Sequence, residues 1–292
     1  MVGEALKYLK DEPLKKHTSF RIGGPARLFC VPKNQAELAE AIAYAKEKKL
    51  KRAILGAGTN ILALDKGFRG LVIKLSSGLK RIYFKDNLLH AEAGVYLPQL
   101  VQAALRRQLT GLEFLAGIPG TVGGAVVMNA GAWGREIANC LEYVKVIDRN
   151  GEEQLLKKKE LGFGYRKSKL ETKGLTVVEA AFKLKSGSAK ASRQKIQDYL
   201  AQRKVKQPLG IPNAGSIFKN PGKKAAGQLL EAAGCKGLRC GDAQVSEKHA
   251  NFIVNLGEAS SRDILKLMTK LQKSVKDKFK VCLEPEIKIM VE

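Results

Sequence analysis

The sequence has few aromatic residues and no long apolar run. Aromatic side chains make up 6% of the 292 residues, and there is a single tryptophan. No segment approaches the roughly 18 consecutive apolar residues that a membrane-spanning helix needs. The first residues, MVGEALKYLKDE, are mixed and charged, unlike the apolar centre of a signal peptide. We therefore expect a soluble, cytoplasmic protein that does not enter the membrane.

Metal-binding patterns are also missing. The five cysteines are irregularly spaced and include no C-x-x-C pair: Cys30, Cys140, Cys235, Cys240 and Cys282. Zinc and iron–sulfur sites are built from such pairs, so we predict no metal site. Free thiols of this kind are typical of a reducing compartment such as the cytoplasm.

Acidic residues are scarce relative to basic ones. The chain has 52 Lys and Arg against 28 Asp and Glu, giving a net charge of +24. Such a charge is typical of proteins that bind nucleic acid. The lysines are spread along the chain, however, and few aromatic residues are available to stack on bases. We favour a solvated basic surface with no nucleic-acid partner, whose field would also steer anionic small substrates.

The predicted helices and strands are mixed without regular alternation. Asn34 followed by Glu37 predicts a helix start. The segment 141–156 predicts a hairpin that turns at Asn150-Gly151. A helix capped by Ser260 or Ser261 and a last strand over Pro285–Val291 follow. This irregular order predicts the α+β class, and the length predicts about two domains.

Glycines cluster in four short motifs, where the absent side chain lets backbone amides approach a ligand. The motifs are R-I-G-G at 21–24, G-A-G-T-N at 56–60, I-P-G-T-V-G-G at 118–124 and N-A-G-A at 129–132. Successive amides in such loops form concave anion sites, which suit a diphosphate. The dinucleotide fingerprint G-x-G-x-x-G fails at Ile61, so a Rossmann fold is not supported.

Seven motifs, in order along the chain, resemble the UDP-N-acetylenolpyruvoylglucosamine reductase family. Three resemble its FAD-binding half: R-I-G-G-P-A at 21–26, L-G-A-G-T-N at 55–60 and I-P-G-T-V-G-G at 118–124. Four resemble its catalytic and substrate half: G-Y-R-K-S at 164–168, G-S-I-F-K-N-P at 215–221, A-Q-V-S-E-K-H-A-N-F-I at 243–253 and L-E-P-E-I at 283–287. The resemblance covers nearly the whole chain.

The resemblance implies an α+β fold with a two-lobed FAD-binding domain of the vanillyl-alcohol oxidase type and a smaller α+β substrate-binding domain. It implies a first lobe at 1–71, a second lobe at 72–205 to which a C-terminal strand at 281–292 returns, and a substrate domain at 206–280. Because neither glycine loop contains histidine, we predict non-covalent FAD. NADPH and a UDP-sugar are the implied partners of a monomer.

The implied reaction delivers a hydride from NADPH, by way of FAD, to the enolpyruvyl double bond of UDP-N-acetylglucosamine enolpyruvate. The product is UDP-N-acetylmuramate, a peptidoglycan precursor. The resemblance makes Ser216 the proton donor, with Arg166 and Glu286 acting on the enol form. A guanidinium suits a carboxylate because its donors form a planar fork. No His or Asp adjoins Ser216 in sequence, as expected for a donor but not for a nucleophile.

The resemblance also implies the binding residues. Those for FAD are Gly56, Ala57, Gly58, Thr59, Asn60, Ile118, Pro119, Gly120, Thr121, Gly123, Gly124 and Ala125. Those for the substrate are Tyr165, Arg166, Lys219 and Asn220. The family commonly has Gly and Ser where this chain has Ala57 and Thr59, which are small changes that FAD binding should survive.

Some assignments stay open. The short interval between Arg166 and Ser216 resembles the shorter family type, which lacks a loop carrying a tyrosine over the UDP, so the residues that cover the uridine are undetermined. His249 is either a base or a fixed hydrogen-bonding residue. Two other functions also stay open: an FAD-dependent oxidase or dehydrogenase acting on another substrate, and a basic nucleic-acid-binding protein with salt-sensitive binding.

Overall fold

The computed structural model describes residues 6–222 and 224–291, which form two compact units of mixed α and β structure. Unit 1 comprises Leu28–Ala57 and Gly70–Ala201, with the N-terminal residues up to Lys10. Unit 2 comprises Asp11–Arg27, Gly58–Arg69 and the chain from Gln202 onward. The three-segment domain division stated above stays a prediction.

The helices of the described residues are α1 (Gln35–Glu47), α2 (Leu97–Arg106), α3 (Val122–Val127), α4 (Ala189–Lys206), α5 (Ala226–Ala232) and α6 (Ser261–Phe279). Two of the predicted helix starts are confirmed. The Asn34 side chain accepts a hydrogen bond from the Glu37 amide at 2.9 Å, and the Ser260 hydroxyl accepts one from the Asp263 amide at 3.1 Å. Each cap satisfies an amide that the helix itself leaves unpaired. None of these helices combines the length and the apolar character that crossing a bilayer requires.

The first ten strands are β1 (Leu9–Pro13), β2 (Pro25–Cys30), β3 (Arg52–Leu55), β4 (Ile61–Ala63), β5 (Phe68–Lys74), β6 (Ile82–Lys85), β7 (Leu88–Glu92), β8 (Leu109–Thr110), β9 (Gly131–Ala132) and β10 (Arg135–Glu136). The remaining strands are β11 (Leu141–Ile147), β12 (Glu153–Lys157), β13 (Thr176–Lys183), β14 (Lys185–Ser186), β15 (Asn213–Ser216), β16 (Arg239–Cys240), β17 (Ala243–Val245), β18 (Phe252–Asn255) and β19 (Lys288–Met290).

In unit 1, an antiparallel sheet carries the largest hydrophobic core. Its strand order is β12-β11-β13-β7-β6. Val144, Ala180 and Ala91 are aligned across three of these strands and are fully buried. Because side chains alternate between the faces of a strand, this face packs inward while Lys145 and Glu179 lie on the other face. The short helix α3 packs against β13 and β7.

Also in unit 1, β3 pairs with β5 in parallel, with Arg52 opposite Leu71. Beyond the last pair of that register, the Leu75 amide donates to the Leu55 carbonyl at 2.8 Å. This pairing fixes the end of β3 and therefore the start of the glycine loop that follows it.

Unit 2 is built on the antiparallel sheet β15-β18-β17-β16, with α5 and α6 packed beside it. One face of α6 is apolar, and its five members are all buried: Ile264, Leu267, Met268, Leu271 and Val275. Removing these side chains from water is the main favourable contribution to packing this unit.

One local prediction differs from the structure, and another, the hairpin, is confirmed with support that the sequence did not reveal. The final strand is shorter than predicted, and it pairs in parallel with Ile61–Ala63 rather than returning to a strand within 72–205. The hairpin is present, but its connection is supported by the Asp148 side chain, which accepts hydrogen bonds from the amides of Asn150 at 2.7 Å and Glu152 at 3.0 Å. Sequence reasoning missed this support because Asn150-Gly151 alone satisfies the hairpin pattern.

Candidate active site

The two glycine loops predicted to bind FAD touch each other in unit 1. A Cβ placed on Gly56 would lie 2.5 Å from the Thr121 hydroxyl oxygen, so only glycine permits this approach. Thr121 caps α3, and its hydroxyl accepts a hydrogen bond from the Gly124 amide at 3.5 Å. The end of β3 and the start of α3 therefore form one continuous backbone surface.

The second half of the first loop lies in unit 2 and is equally constrained. Gly58 has φ +69°, and a Cβ there would overlap the carbonyl of His17. The Gly58 carbonyl accepts hydrogen bonds from the Ser19 amide at 3.0 Å and the Ser19 hydroxyl at 3.3 Å. The same hydroxyl also donates to the Asn213 carbonyl at 2.5 Å. Ser19 thus connects the loop to β15, a role that sequence reasoning missed although the residue precedes the R-I-G-G motif.

The residues present fit the diphosphate of FAD. Gly56 and Gly124 have no side chains, so at these two positions no side chain of the residue itself covers the backbone of this surface. Gly124 is exposed. A Cβ on Gly124 would contact only the Thr121 hydroxyl oxygen, at 3.6 Å, so the space beside Gly124 is open. Accessible glycine backbone is what a dinucleotide diphosphate requires for hydrogen bonds from amides. The individual contacts of loops 56–60 and 118–125 with FAD stay a prediction.

Arg166 lies at the tip of a tight turn in unit 1. Gly164 and Lys167 exchange both backbone hydrogen bonds, at 3.0 and 3.1 Å, which leaves Tyr165 and Arg166 at the corner. Arg166 takes φ +55°, and its guanidinium lies 5.0 Å from the centre of the Tyr165 ring. One guanidinium nitrogen, Nη2, donates to the Gly131 carbonyl at 2.9 Å. The turn therefore presents a pre-oriented guanidinium beside an exposed aromatic ring.

Asn129 holds this turn in place. Its side chain is fully buried and donates to the Gly164 carbonyl at 3.1 Å. Its Oδ1 accepts a hydrogen bond from the Ala138 amide at 3.0 Å. In the sequence, the N-A-G-A motif is recognisable only as a glycine cluster. In the structure, Asn129 and the Gly131 carbonyl both contact the turn that carries Arg166. The one available signal was an asparagine inside an otherwise apolar segment, since buried amides are normally hydrogen-bonded.

Ser216 is the last residue of β15 in unit 2, and the segment after it is fixed by Asn251. The Asn251 side chain accepts from the Phe218 amide at 2.9 Å and donates to the Phe218 carbonyl at 2.8 Å. The Asn251 carbonyl accepts from the Ile217 amide at 2.8 Å. Within residues 6–222 and 224–291, the Ser216 hydroxyl has no hydrogen-bond partner. The hydroxyl is half-buried, so its proton is available to a ligand.

Glu286 lies beside the Ser216 segment through backbone pairing. The Glu286 amide donates to the Ile217 carbonyl at 2.7 Å, and the Lys219 amide donates to the Glu284 carbonyl at 2.9 Å. On its other side, the Glu286 carbonyl accepts from the Asn60 side chain at 3.3 Å. Unit 2 therefore brings together three predicted motifs: the end of the flavin loop, G-S-I-F-K-N-P and L-E-P-E-I.

Three neighbouring residues have defined structural contacts. The Lys219 ammonium lies 3.3 Å from the Glu284 carboxylate, and the Asn220 Oδ1 accepts from the Ala226 amide at 3.0 Å at the start of α5. His249 Nδ1 accepts from the Asn251 amide at 3.2 Å, and burial lowers the pKa of the imidazole. A neutral imidazole that accepts a backbone hydrogen bond favours the fixed structural role of His249 over the role of a base.

Comparison with known proteins agrees with these motifs. The family model described as "UDP-N-acetylenolpyruvoylglucosamine reductase, C-terminal domain" matches residues 207–290, and the model described as "FAD binding domain" matches residues 26–156. The UDP-N-acetylenolpyruvoylglucosamine reductase of Caldanaerobacter subterraneus subsp. tengcongensis is 47% identical over 98% of this chain and 94% of that relative. The chain belongs to the UDP-N-acetylenolpyruvoylglucosamine reductase family.

Further similarities extend over the whole chain. The reductase of Desulforamulus reducens is 43% identical over 97% of this chain and 93% of its own length. The crystal structure of UDP-N-acetylenolpyruvylglucosamine reductase from Thermus caldophilus matches with a TM-score of 0.84 and 38% identity, covering 98% of this chain and 99% of that chain.

Family membership confirms several sequence predictions. The chain is an oxidoreductase that uses FAD and NADPH, and its α+β fold combines an FAD-binding domain with the C-terminal domain of this family. The absence of a metal site stays a prediction; among the residues that the structure describes, no group of three or more His, Cys, Asp or Glu side chains is arranged to hold a metal ion. The roles of individual site residues stay predictions.

Proposed function

We propose that this protein reduces the enolpyruvyl group of UDP-N-acetylglucosamine enolpyruvate to give UDP-N-acetylmuramate, and that Arg166, Glu286 and Ser216 act on the reacting group. The observation that carries the proposal is the backbone pairing that sets Ser216 beside the Glu286 segment and Glu286 beside Asn60 of the flavin loop. Loops 56–60 and 118–125 would hold FAD, which would supply to the terminal carbon of the enolpyruvyl group a hydride that comes from NADPH. The remaining steps belong to side chains of this chain.

Arg166 binds the carboxylate of the enolpyruvyl group. When the hydride reaches the terminal carbon, negative charge builds on the neighbouring carbon and on the carboxylate oxygens. The guanidinium has donors in a planar fork, which matches both oxygens of a carboxylate. Its hydrogen bond to the Gly131 carbonyl fixes its direction before the charge develops, and such preorganised donors are the strongest form of electrostatic stabilisation.

Glu286 acts with Arg166 on the same enol form. A bare carboxylate would repel the developing charge, so Glu286 acts in a protonated or hydrogen-bonded form. Its backbone is held on both sides, by Ile217 and by Asn60, and the side chain is half-buried.

Ser216 completes the reaction by donating its hydroxyl proton to the carbon that carries the negative charge. A serine hydroxyl is a weak acid, but a carbanion is a base strong enough to accept its proton. The resulting alkoxide recovers a proton from water. Tyr165, Lys219 and Asn220 contact the UDP-sugar.

The protein acts as a monomer in the cytoplasm. The five cysteines are free thiols, three of them buried, as expected in a reducing compartment.

The deciding experiment follows NADPH absorbance with purified protein, with and without UDP-N-acetylglucosamine enolpyruvate. We expect a yellow protein whose NADPH consumption depends on the UDP-sugar. A yellow protein that ignores the UDP-sugar but is rapidly reoxidised by air would contradict the proposal and favour an oxidase. A colourless protein that added FAD does not activate would overturn the flavoenzyme assignment as well.

A further inference from the structure

The single tryptophan of the chain lies at the tip of the hairpin that contacts Arg166. Strands β9 and β10 pair with Ala132 opposite Arg135, which leaves Trp133 and Gly134 as a two-residue turn. The same hairpin begins at Gly131, whose carbonyl accepts the hydrogen bond from Arg166. Trp133 is therefore two residues along the chain from the carbonyl that holds the Arg166 guanidinium.

The backbone of this turn is unfavourable for tryptophan. Trp133 has φ +57° and Gly134 has φ +74°, the pattern of a type I′ turn. Asn, Asp and Gly are the usual residues at the first position of such a turn, because a bulky side chain is strained at positive φ. Strained residues of this kind cluster at ligand sites. A tryptophan at this position therefore points to a use for its ring.

The ring is stacked and exposed at the same time. The Trp133 indole lies 4.6 Å from the Tyr199 ring, centre to centre, with an interplanar angle of 3°. Trp133 keeps 36% of its surface exposed, although a buried position is usual for so large an apolar side chain. The ammonium of Lys195, one turn earlier on α4, lies 5.9 Å from the centre of the Tyr199 ring. The stack is thus flat, accessible and next to a positive charge.

We propose that Trp133, supported by Tyr199, is the stacking platform for a nucleobase of the nucleotide co-substrates, with the uracil of the UDP-sugar as its ligand. The inference rests on the proposed function. Stacking on an aromatic ring is a general mode of base recognition. The UDP-sugar is named because Arg166, held by the same hairpin, binds the carboxylate at its other end. The sugar and the diphosphate separate that carboxylate from the uracil, and the kinetic test below distinguishes uracil from the bases of NADPH.

The first test uses the fluorescence of Trp133 in the holoenzyme. Because the chain has one tryptophan, all tryptophan emission comes from this ring. We expect UDP to quench the emission saturably and inorganic diphosphate, which has the same charged groups without a base, to leave it unchanged. Equal quenching by both compounds, or by neither, would overturn the proposal.

The second test separates a binding role from a structural one. Trp133→Ala should raise the KM for the UDP-sugar about tenfold or more with a smaller change in kcat, and Trp133→Phe should restore most of the affinity. Leu200→Ala, an exposed neighbour of Tyr199 on α4, is the matched control and should behave as the wild type. A raised KM for NADPH alone would assign the platform to the dinucleotide and overturn the assignment to uracil. Unchanged KM values for both, with only a lower melting temperature, would show a purely structural stack.

Failure of this inference is distinguishable from failure of the proposed function. If the wild type shows no NADPH consumption that depends on the UDP-sugar, the proposed function is wrong and the platform loses its ligand. If the wild type turns over and Trp133→Ala keeps its KM values, the proposed function stands and the platform is wrong.

Discussion

Two buried asparagines fix the two segments that carry the proposed chemistry, but the segments around them are built differently. In unit 1, Asn129 holds the Arg166 turn through one donated hydrogen bond, at 3.1 Å to Gly164. In unit 2, Asn251 makes two side-chain hydrogen bonds to Phe218, and its carbonyl accepts a third from Ile217. The segment after Ser216 also pairs with the backbone of Glu284 and Glu286 on its other side.

The difference matches what each group must do. A hydroxyl that delivers a proton to one carbon needs a fixed position, and backbone pairing on two sides supplies it. A guanidinium on a long side chain can adjust to a carboxylate, so a turn held by side-chain contacts is sufficient. We infer that the position of Ser216 tolerates surface changes nearby, whereas the position of Arg166 depends on Asn129 and on the Gly131 carbonyl.

The largest expected effect is that of Ser216→Ala. Removing the proton donor should lower turnover with the UDP-sugar about 10³-fold, within the usual range for a positioned acid. The rate of flavin reduction by NADPH alone should not change, because that half-reaction uses no proton from Ser216. Stopped-flow absorbance of the flavin measures both rates. The exposed Ser186 supplies the control variant Ser186→Ala, and normal turnover in Ser216→Ala would remove the serine from the mechanism.

Glu286→Gln should have the next largest effect, lowering kcat with the UDP-sugar about 10²-fold while flavin reduction by NADPH continues. Glutamine keeps the shape of the side chain but cannot be protonated or ionised. Glu284→Gln is a comparison variant and not a neutral control, since Glu284 lies two residues away in the same motif and forms an exposed ion pair with Lys219, a proposed substrate residue. Exposed pairs of this kind contribute little. Equal losses in the two variants would show that the segment as a whole matters and that Glu286 has no special role.

Replacing the two asparagines tests the comparison directly. Asn251→Ala leaves two buried backbone groups of Phe218 unpaired, which should lower the free energy of unfolding by roughly 2 to 4 kcal/mol and reduce kcat about tenfold. Asn129→Ala should destabilise by a similar amount but act mainly on the KM for the UDP-sugar, because it loosens the turn that carries Arg166. Urea denaturation and steady-state kinetics of the two variants provide the measurements.

The opposite pattern, with kcat lowered by Asn129→Ala and KM raised by Asn251→Ala, would contradict the division of roles between the two segments. The variant Asn129→Asp separates the two hydrogen bonds that the Asn129 side chain makes. It keeps the acceptor for the Ala138 amide and loses the donor to Gly164. If the KM effect comes from the turn, this variant should show it in full.

The features that could be predicted are those set by residues a few positions apart in the chain. The cap at Asn34 and the apolar face of α6 follow from spacings of three and four residues, and both are present. The pairing of β19 with β4 joins residues more than 220 positions apart, and nothing in either short strand specifies its partner. Asn129 was missed for the same reason, since its partner Gly164 is 35 residues away, and the one local signal, a polar residue in an apolar segment, does not identify that partner.

The smallest expected effect concerns pH and the residue that supports Asn251. Burial lowers the pKa of His249 in the folded protein, so the unfolded chain binds the imidazole proton more readily. The free energy of unfolding should therefore be highest above the ordinary imidazole pKa, near 6.5, and should fall as the pH drops below it. His249→Asn keeps an acceptor for the Asn251 amide without a titrating ring, so urea denaturation between about pH 8 and 5 should show a flatter dependence in the variant. Protonation of Nδ1 would break the 3.2 Å hydrogen bond from the Asn251 amide, so kcat of the wild type should fall together with its stability. If both proteins showed the same pH dependence, His249 would have no effect on the Ser216 segment.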